Sequence, residues 1–237
     1  MTNIQNFKEG IRDGVPICLG YFAVSFAFGI QAADIHLSPF QAGLLSLLNV
    51  TSAGQFAGLA VIAQAGTYLE MAVLQAIVNL RYLLMSAALS QKLSPETPTA
   101  HRLGIAYGVT DEIFGISVLR KGDLSPFYSY GAIFISVFGW VAGTVLGASA
   151  GAILPQRLIS ALGIALYGMF IAIIIPPARE DRTVLATVIG GMALSTVFTY
   201  APFVKDISGG MRIIIVTVVV ASVAAVARPV DGMEGEA

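Results

Sequence analysis

The stretch GVPICLGYFAVSFAFGIQAA (residues 14–33) decides the fold class. It carries no charged residue, and about 20 apolar residues is the length with which an α-helix crosses the hydrocarbon core of a membrane. Lys8 and Arg12 precede the run, as basic residues precede a secretory signal peptide. The apolar run is longer than the about 7–15 residues of such a peptide, however, and no convincing cleavage site follows. We therefore expect a retained transmembrane helix.

The composition extends this expectation to the whole chain. Of 237 residues, 56% are hydrophobic and 11% are charged, whereas soluble domains have roughly 25% charged residues. A net charge of -1 offers no basic field for nucleic acid, and a single cysteine excludes an intrachain disulfide and a multi-cysteine metal site. We expect an all-α, polytopic integral membrane protein. Residues 1–237 would form one transmembrane domain in the lipid, with a short cytoplasmic segment 1–13 and a tail 229–237.

Apolar runs and polar loops predict about eight transmembrane helices, or seven if the second or third is re-entrant. Lys and Arg are expected to lie on the cytoplasmic side, and a count of seven against five favours cytoplasmic termini. That count places Lys92 and Arg102 opposite Arg12 and Arg120. The predicted spans are Gly14–Ala33, Phe40–Gln64, Tyr68–Ser90, Leu103–Leu119, Tyr128–Gly151, Leu158–Pro176, Thr183–Val204 and Ile213–Ala227.

Polar residues interrupt the second span at NVTSAGQF (residues 49–56). A backbone or side-chain polar group in lipid has no hydrogen-bond partner, so such residues must face protein or a water-filled cavity. One interpretation is hydrogen bonding between helices. The other is a broken helix whose backbone N–H groups meet an anionic ligand group. The candidate binding residues are Asn49, Thr51, Ser52 and Gln55.

The third span contains Arg81, two residues after Asn79. A charged side chain at the centre of a membrane helix costs about 2.5–3.5 kcal/mol on insertion scales, so it is usually paired or functional. Snorkelling to the membrane surface is the alternative. A helix break at residues 79–81 would let both side chains reach one cavity, and we predict such a break.

Two adjacent carboxylates, Asp111 and Glu112, lie in the fourth span. Gly104, Gly108, Asp111 and Gly115 have the spacing of one face of a continuous helix, which predicts that Asp111 faces a packed neighbour. Either a buried ion pair with Arg81 or a site for substrate and protons would explain the charges. We predict that Arg81 and at least one carboxylate line one cavity, with the other carboxylate as a candidate proton carrier.

A faint internal repeat and several absent motifs complete the picture. Shifting the chain by 85 residues aligns residues 54–69 with residues 139–154, and a shift of three spans would make the repeat inverted, as in many secondary transporters. The sequence GASAG (residues 147–151) has the spacing of a nucleophile elbow but no following histidine. No phosphate-binding loop or metalloprotease motif is present, so we expect neither an enzyme nor a cofactor.

Four ordered motifs resemble the AzlC-type branched-chain amino acid permease family. They are GIRDGVPICLGYFAVSFAFG (10–29), AGQFAGLA (53–60), NLRYLLMSAALS (79–90) and TDEIF (110–114). The resemblance covers roughly residues 8 to 230. Members of the family usually have ASQF where this chain has Gly54, and often NLRHLL where it has Tyr82.

The resemblance implies a bacterial inner-membrane subunit that exports valine, leucine, isoleucine or other small aliphatic amino acids. It also implies a small hydrophobic partner subunit of the AzlD type. An amino-acid or ion channel, or a structural subunit of a larger membrane complex, is the alternative function. A channel would use the same charges as a selectivity ring.

Overall fold

The computed structural model describes residues 2–151, 171, 175, 178–201, 204 and 207–227. Within these residues every regular element is helical and no strand occurs, which confirms the predicted all-α class. The predicted sixth span, Leu158–Pro176, falls almost entirely outside the described residues. The helices are α1 (Asn3–Asp34), α2 (Pro39–Leu48), α3 (Ala53–Ala63), α4 (Tyr68–Val78), α5 (Leu80–Gln91), α6 (Thr99–Tyr107), α7 (Asp111–Val118), α8 (Pro126–Gly151), α9 (Arg182–Tyr200) and α10 (Gly209–Ala227).

The chain divides into two compact units. Unit 1 consists of Met1–Leu59 with Asn79–Leu166, and unit 2 of Ala60–Val78 with Tyr167–Ala237. The prediction of one transmembrane domain stays a prediction, and each unit is described by itself.

Unit 1 is built on the parallel pair α1 and α8. Glycines later in α8 contact residues later in α1: Gly131 lies against Phe7, and Gly147 lies against Phe26. A Cβ atom on Gly147 would lie 2.0 Å from the Phe26 carbonyl oxygen, so only glycine permits this approach. Small residues are the usual means by which membrane helices pack closely. We call the end at which both helices begin the amino end, and the other the carboxyl end.

The predicted break in the second span is confirmed. Helix α2 begins with a capping box at Ser38 and ends at Leu48, where Asn49 has φ −139° and ψ 84°. Ser52 has a φ of 37°, in the left-handed region that side-chain-bearing residues rarely adopt. Helix α3 then begins at Ala53.

This broken segment turns back within unit 1. Helix α2 runs away from the carboxyl end of α8. Ala42 packs with Ala148, and Ser46, later in α2, contacts Thr144, which is earlier in α8. The start of α3 lies deeper, but Leu59 has again joined the cluster of Ala42 and Ala148. As far as Leu59, therefore, the segment is a re-entrant hairpin that enters from the carboxyl end.

The third span is also interrupted where predicted. Helix α4 ends at Val78 and α5 begins at Leu80, so the break falls on Asn79, which has φ −98° and ψ 5°. The Tyr82 N–H group donates to the carbonyl oxygen of Asn79, three residues back, at 2.9 Å. The α5 helix therefore starts afresh immediately before Arg81.

The predicted fourth span, Leu103–Leu119, is wrong, because α6 and α7 do not form one continuous helix. α6 begins beside the end of α5, where Arg102 donates to the Ser94 carbonyl oxygen at 2.9 Å. α7 ends at the same place, since the Lys92 ammonium donates to the Arg120 carbonyl oxygen. Both ends of the segment therefore lie on one side of unit 1.

Contacts with α1 and α8 identify that side as the amino end. Arg120, just after α7, pairs with Glu9 of α1 at 2.9 Å. His101, at the start of α6, lies 2.8 Å from the hydroxyl of Tyr130 near the start of α8. The α6–α7 segment is thus a second re-entrant hairpin, opposed to the first.

The number of spans differs from the prediction within the described residues. Three helices, α1, α8 and α9, are long and apolar enough to cross a membrane, and α4 with α5 would make a fourth if counted as one bent span. Helices α2, α3, α6 and α7 are each too short to cross alone. The total of seven or eight spans therefore stays a prediction.

Unit 2 contains α4, α9 and α10. Glu70 of α4 accepts a hydrogen bond from the Met211 N–H group at 3.1 Å and another from the Ser208 hydroxyl. The carboxylate thereby satisfies donors at the start of α10, where the helix dipole favours a negative charge.

The aligned internal repeat does not extend to the helix break. A shift of 85 residues maps the interruption at residues 49–52 onto residues 134–137, in the middle of the continuous helix α8. In this register the two segments have different backbones.

Candidate functional site

Helix breaks of the two hairpins and the start of α5 come together around one cavity in unit 1. The break after α2 contributes Val50 and Ser52, and the break before α7 contributes Thr110. The cavity has a volume of about 20 Å³, which holds about one water molecule. Its lining consists of Tyr21, Val50, Ser52, Tyr82, Thr110, Asp111, Glu112 and Trp140.

The predicted pairing of Arg81 with a carboxylate is confirmed, but the prediction that Arg81 itself lines the cavity is not, because the lining includes Asp111 and not Arg81. Arg81 Nη1 lies 2.8 Å from Asp111 Oδ2. Arg81 Nη2 donates to the hydroxyl of Tyr82 at 3.2 Å, and the guanidinium carbon lies 5.0 Å from the centre of the Tyr82 ring. The two charged side chains are 44% and 49% exposed in the isolated chain, so the pair is held by protein on one side only.

The helix ends explain the placement of these charges. Asp111 and Glu112 occupy the first turn of α7, where the helix dipole stabilises negative charge. Arg81 occupies the first turn of α5, where the dipole disfavours positive charge. Asp111 therefore compensates the positive charge of Arg81, which the dipole of α5 does not stabilise.

Glu112 makes a different contact. Its Oε2 atom lies 2.5 Å from the hydroxyl of Tyr21, which also lies 2.6 Å from Thr110 Oγ1. A phenol has one proton and an ionised carboxylate can only accept. The Tyr21 hydroxyl therefore donates to Glu112 and accepts from Thr110, whose oxygen accepts in turn from the Ile113 N–H group at 3.4 Å.

Gln55, a candidate binding residue, lies in a buried network instead. It is 1% exposed. Its Oε1 atom accepts from the Trp140 indole at 2.6 Å, and its Nε2 donates to Ser46 Oγ at 3.0 Å. Ser46 Oγ lies 2.7 Å from Thr144 Oγ1, which donates to the Trp140 carbonyl oxygen at 2.9 Å. This arrangement favours the interpretation of Gln55 as a link between helices.

The other candidates are distributed over the two breaks. Ser52 lines the cavity. Asn49 and Thr51 are half-buried, and the Thr51 hydroxyl donates to Asn49 Oδ1 at 2.8 Å, which stabilises the turn between α2 and α3. Asn79 occupies the break before α5. Arg81, Ser52 and both carboxylates are thus brought together, and the binding roles of all these residues stay predictions.

The helical face predicted for Asp111 does not exist. The helix is interrupted at Gly108–Thr110, so residues before and after the break do not share a face. A Cβ atom on Gly108 would lie 2.5 Å from Ile133 of α8, whereas one on Gly115 would meet nothing within 4 Å. Asp111 reaches the cavity because a new helix begins there.

Tyr21, Thr110 and Trp140 were not among the predicted site residues. Tyr21 and Trp140 read as apolar residues within otherwise uncharged spans, and only their polar tips distinguish them. Thr110 directly precedes two acidic residues, which is the pattern of a helix N-cap. That signal could have revealed both the break and the residue.

Comparisons with known proteins identify the family of the chain. The AzlC protein family model matches residues 16–154. An uncharacterized membrane protein of Archaeoglobus fulgidus is 33% identical over 187 residues, covering 78% of this chain and 81% of the relative. The inner membrane protein YgaZ of Escherichia coli is 30% identical over 203 residues, covering 81% and 82%. No solved structure matches. The chain is a membrane protein of the AzlC family.

Proposed function

We propose that this chain is the large subunit of a secondary transporter that exports small aliphatic amino acids, foremost branched-chain ones, across the bacterial inner membrane. The observation that carries the proposal is the Arg81–Asp111 pair at 2.8 Å, beside a cavity that is lined by helix breaks and by a second carboxylate, Glu112, with no ion pair among the described residues. A zwitterionic substrate needs a cation for its carboxylate and an anion for its ammonium group. The carboxylates that line this cavity, and Arg81 beside it, offer both.

Arg81 is suited to the carboxylate because a guanidinium presents several N–H donors in one plane. Asp111 or Glu112 would accept the ammonium group, and the other carboxylate would carry a proton that couples export to proton entry. A small hydrophobic membrane subunit of the AzlD type would complete the transporter.

The opposed hairpins support alternating access. A cavity of about 20 Å³ is far too small for an amino acid, so a substrate would enter only after a hairpin moves. The α2–α3 hairpin, which enters from the carboxyl end, and the α6–α7 hairpin, which enters from the amino end, both contribute their breaks to the lining of the cavity. Movement of one at a time would expose the site to one side of the membrane.

An efflux assay tests the proposal. Cells that express the chain with a small AzlD-type subunit would be loaded with labelled leucine, valine, isoleucine, alanine or lysine. We expect export of the aliphatic amino acids against their gradient and at least about tenfold less export by Arg81→Gln, the loss expected when a charged hydrogen bond to the substrate is removed.

Arg12→Gln is the matched control, because Arg12 lies on α1 with its side chain 76% exposed. It should export at the wild-type rate. Passive flux that only follows the gradient would instead indicate a channel, and an Arg81→Gln protein that folds and exports normally would contradict the proposed site.

A further inference from the structure

The two carboxylates of the cavity have unequal partners. Asp111 is paired with Arg81 at 2.8 Å. Glu112 belongs to no ion pair within the described part of the chain, and its described partner is the neutral hydroxyl of Tyr21 at 2.5 Å. One cation and two carboxylates leave one negative charge unbalanced, and the geometry puts that charge on Glu112.

Aromatic rings surround the same part of the cavity. The rings of Tyr21 and Trp140 meet edge to face, with centroids 5.3 Å apart, and Tyr82 forms another part of the wall. The Trp140 indole N–H group already donates a hydrogen bond to Gln55. The part of Trp140 that remains to contact a ligand in the cavity is therefore its aromatic ring. An ammonium group is attracted to aromatic faces within about 6 Å, most strongly where water is excluded.

We infer that Glu112, positioned by Tyr21, binds the ammonium group of the amino-acid substrate, with the rings of Tyr82 and Trp140 beside it. Asp111 remains the partner of Arg81. This inference rests on the proposed function and assigns one carboxylate where that proposal allows either.

Binding at Glu112 also requires fewer contacts to break. An ammonium group bound to Asp111 would have to compete with Arg81 for that carboxylate and break or weaken the existing ion pair at 2.8 Å. At Glu112 the ammonium group neutralises a charge that has no counterion among the described residues of unit 1. Tyr21 reaches across from α1 and fixes the carboxylate by its hydroxyl, so Tyr21 is a positioning residue.

The test compares leucine with 4-methylpentanoate, which has the same carbon skeleton and carboxylate but no amino group. Affinities of the purified full chain, with its small partner subunit, would be measured by calorimetry. We expect Glu112→Gln and Tyr21→Phe to weaken leucine binding by about 10–100-fold, as the loss of a charged hydrogen bond does, while 4-methylpentanoate binding is unchanged. The affinity ratio of the two ligands should therefore fall.

Tyr128→Phe is the matched control, because its hydroxyl donates to Asp13 at 3.1 Å near the amino end and does not touch the cavity. Its affinity ratio should equal that of the wild type. Glu112→Asp keeps the charge and should restore part of the preference for leucine. A purely structural role of Tyr21 would lower the affinity for both ligands equally.

The inference is overturned if Tyr21→Phe and Glu112→Gln keep the wild-type ratio, or if Asp111→Asn alone abolishes it. In either case the wild type still binds leucine and the proposed function stands. A wild-type protein that binds no aliphatic amino acid would refute the proposed function itself, and the inference with it.

Discussion

Arg81 occupies a position that the fold does not favour by itself. The first turn of α5 repels a positive charge, and half of the side chain is not covered by protein. An ion pair whose uncovered side faces water contributes roughly 0–1 kcal/mol to stability, much less than the about 3–5 kcal/mol lost on breaking a fully buried pair. In a water-filled cavity, stability would therefore give little reason to oppose Arg81 and Asp111, which is consistent with the proposed role in ligand binding.

Gln55 provides the opposite case at the residue scale. Replacing it in Gln55→Leu would leave the buried Trp140 indole without its described partner and would remove one of the two described hydrogen bonds of the Ser46 hydroxyl. An unsatisfied buried polar group costs about 1–3 kcal/mol, so we expect a lower melting temperature in detergent and unchanged affinity for leucine in the protein that remains folded.

Gln91→Leu is the control for this prediction, since Gln91 is exposed at the end of α5. Its melting temperature should stay near the wild-type value. A Gln55→Leu protein of normal stability that no longer binds leucine would show that Gln55 contacts the substrate.

The interruption between α6 and α7 predicts that alanine substitutions before and after it have different effects on stability, which a continuous helix with one packed face would not. Gly108→Ala would force a Cβ atom to 2.5 Å from the buried Ile133 side chain, and overpacking of this kind costs about 1–3 kcal/mol. Gly115→Ala places its Cβ in open space and should be neutral or slightly stabilising, because alanine favours helix. Thermal unfolding of both variants in detergent measures the difference, and equal losses would favour a single packed face.

The sequence predicted some breaks and missed another for a physical reason. Residues 49–56 and Asn79–Arg81 place polar side chains in apolar runs, where an unbroken helix facing lipid would leave them unsatisfied. The third break, at Gly108–Thr110, contains only a glycine, a valine and a threonine, so it has few polar side chains that would signal an interruption. The spacing of the glycines also matches that of one packed face of a continuous helix. Hydropathy measures apolar length and not direction, so it cannot distinguish a hairpin from a crossing.

The re-entrant hairpins change the orientation argument for unit 1. The α6–α7 hairpin brings Lys92 and Arg102 to the amino end, although the predicted topology put them opposite Arg120. Apart from Arg81, every Lys and Arg in the described residues of unit 1 now belongs to this end. The six are Lys8, Arg12, Lys92, Arg102, Arg120 and Lys121. Positive residues in short loops mark the cytoplasmic side, so the amino end should face the cytoplasm.

Labelling of single cysteines tests this orientation and the hairpin together. In a Cys18→Ala background, which removes the chain's one cysteine, we would introduce Glu96→Cys, Lys121→Cys and Asp34→Cys at exposed positions. A membrane-impermeant maleimide added to intact spheroplasts should label Asp34→Cys, beside the carboxyl end. It should label the other two only after the membrane is permeabilised.

The cysteines at positions 96 and 121 distinguish a hairpin from a crossing, because the segment between them contains only α6, α7 and the adjoining loops. A crossing would put the two cysteines on opposite sides, so that one is labelled in intact spheroplasts and the other is not. A hairpin leaves them on the same side. Labelling of both from outside would keep the hairpin but reverse the orientation, and the opposed behaviour of the two would refute the re-entrant fold.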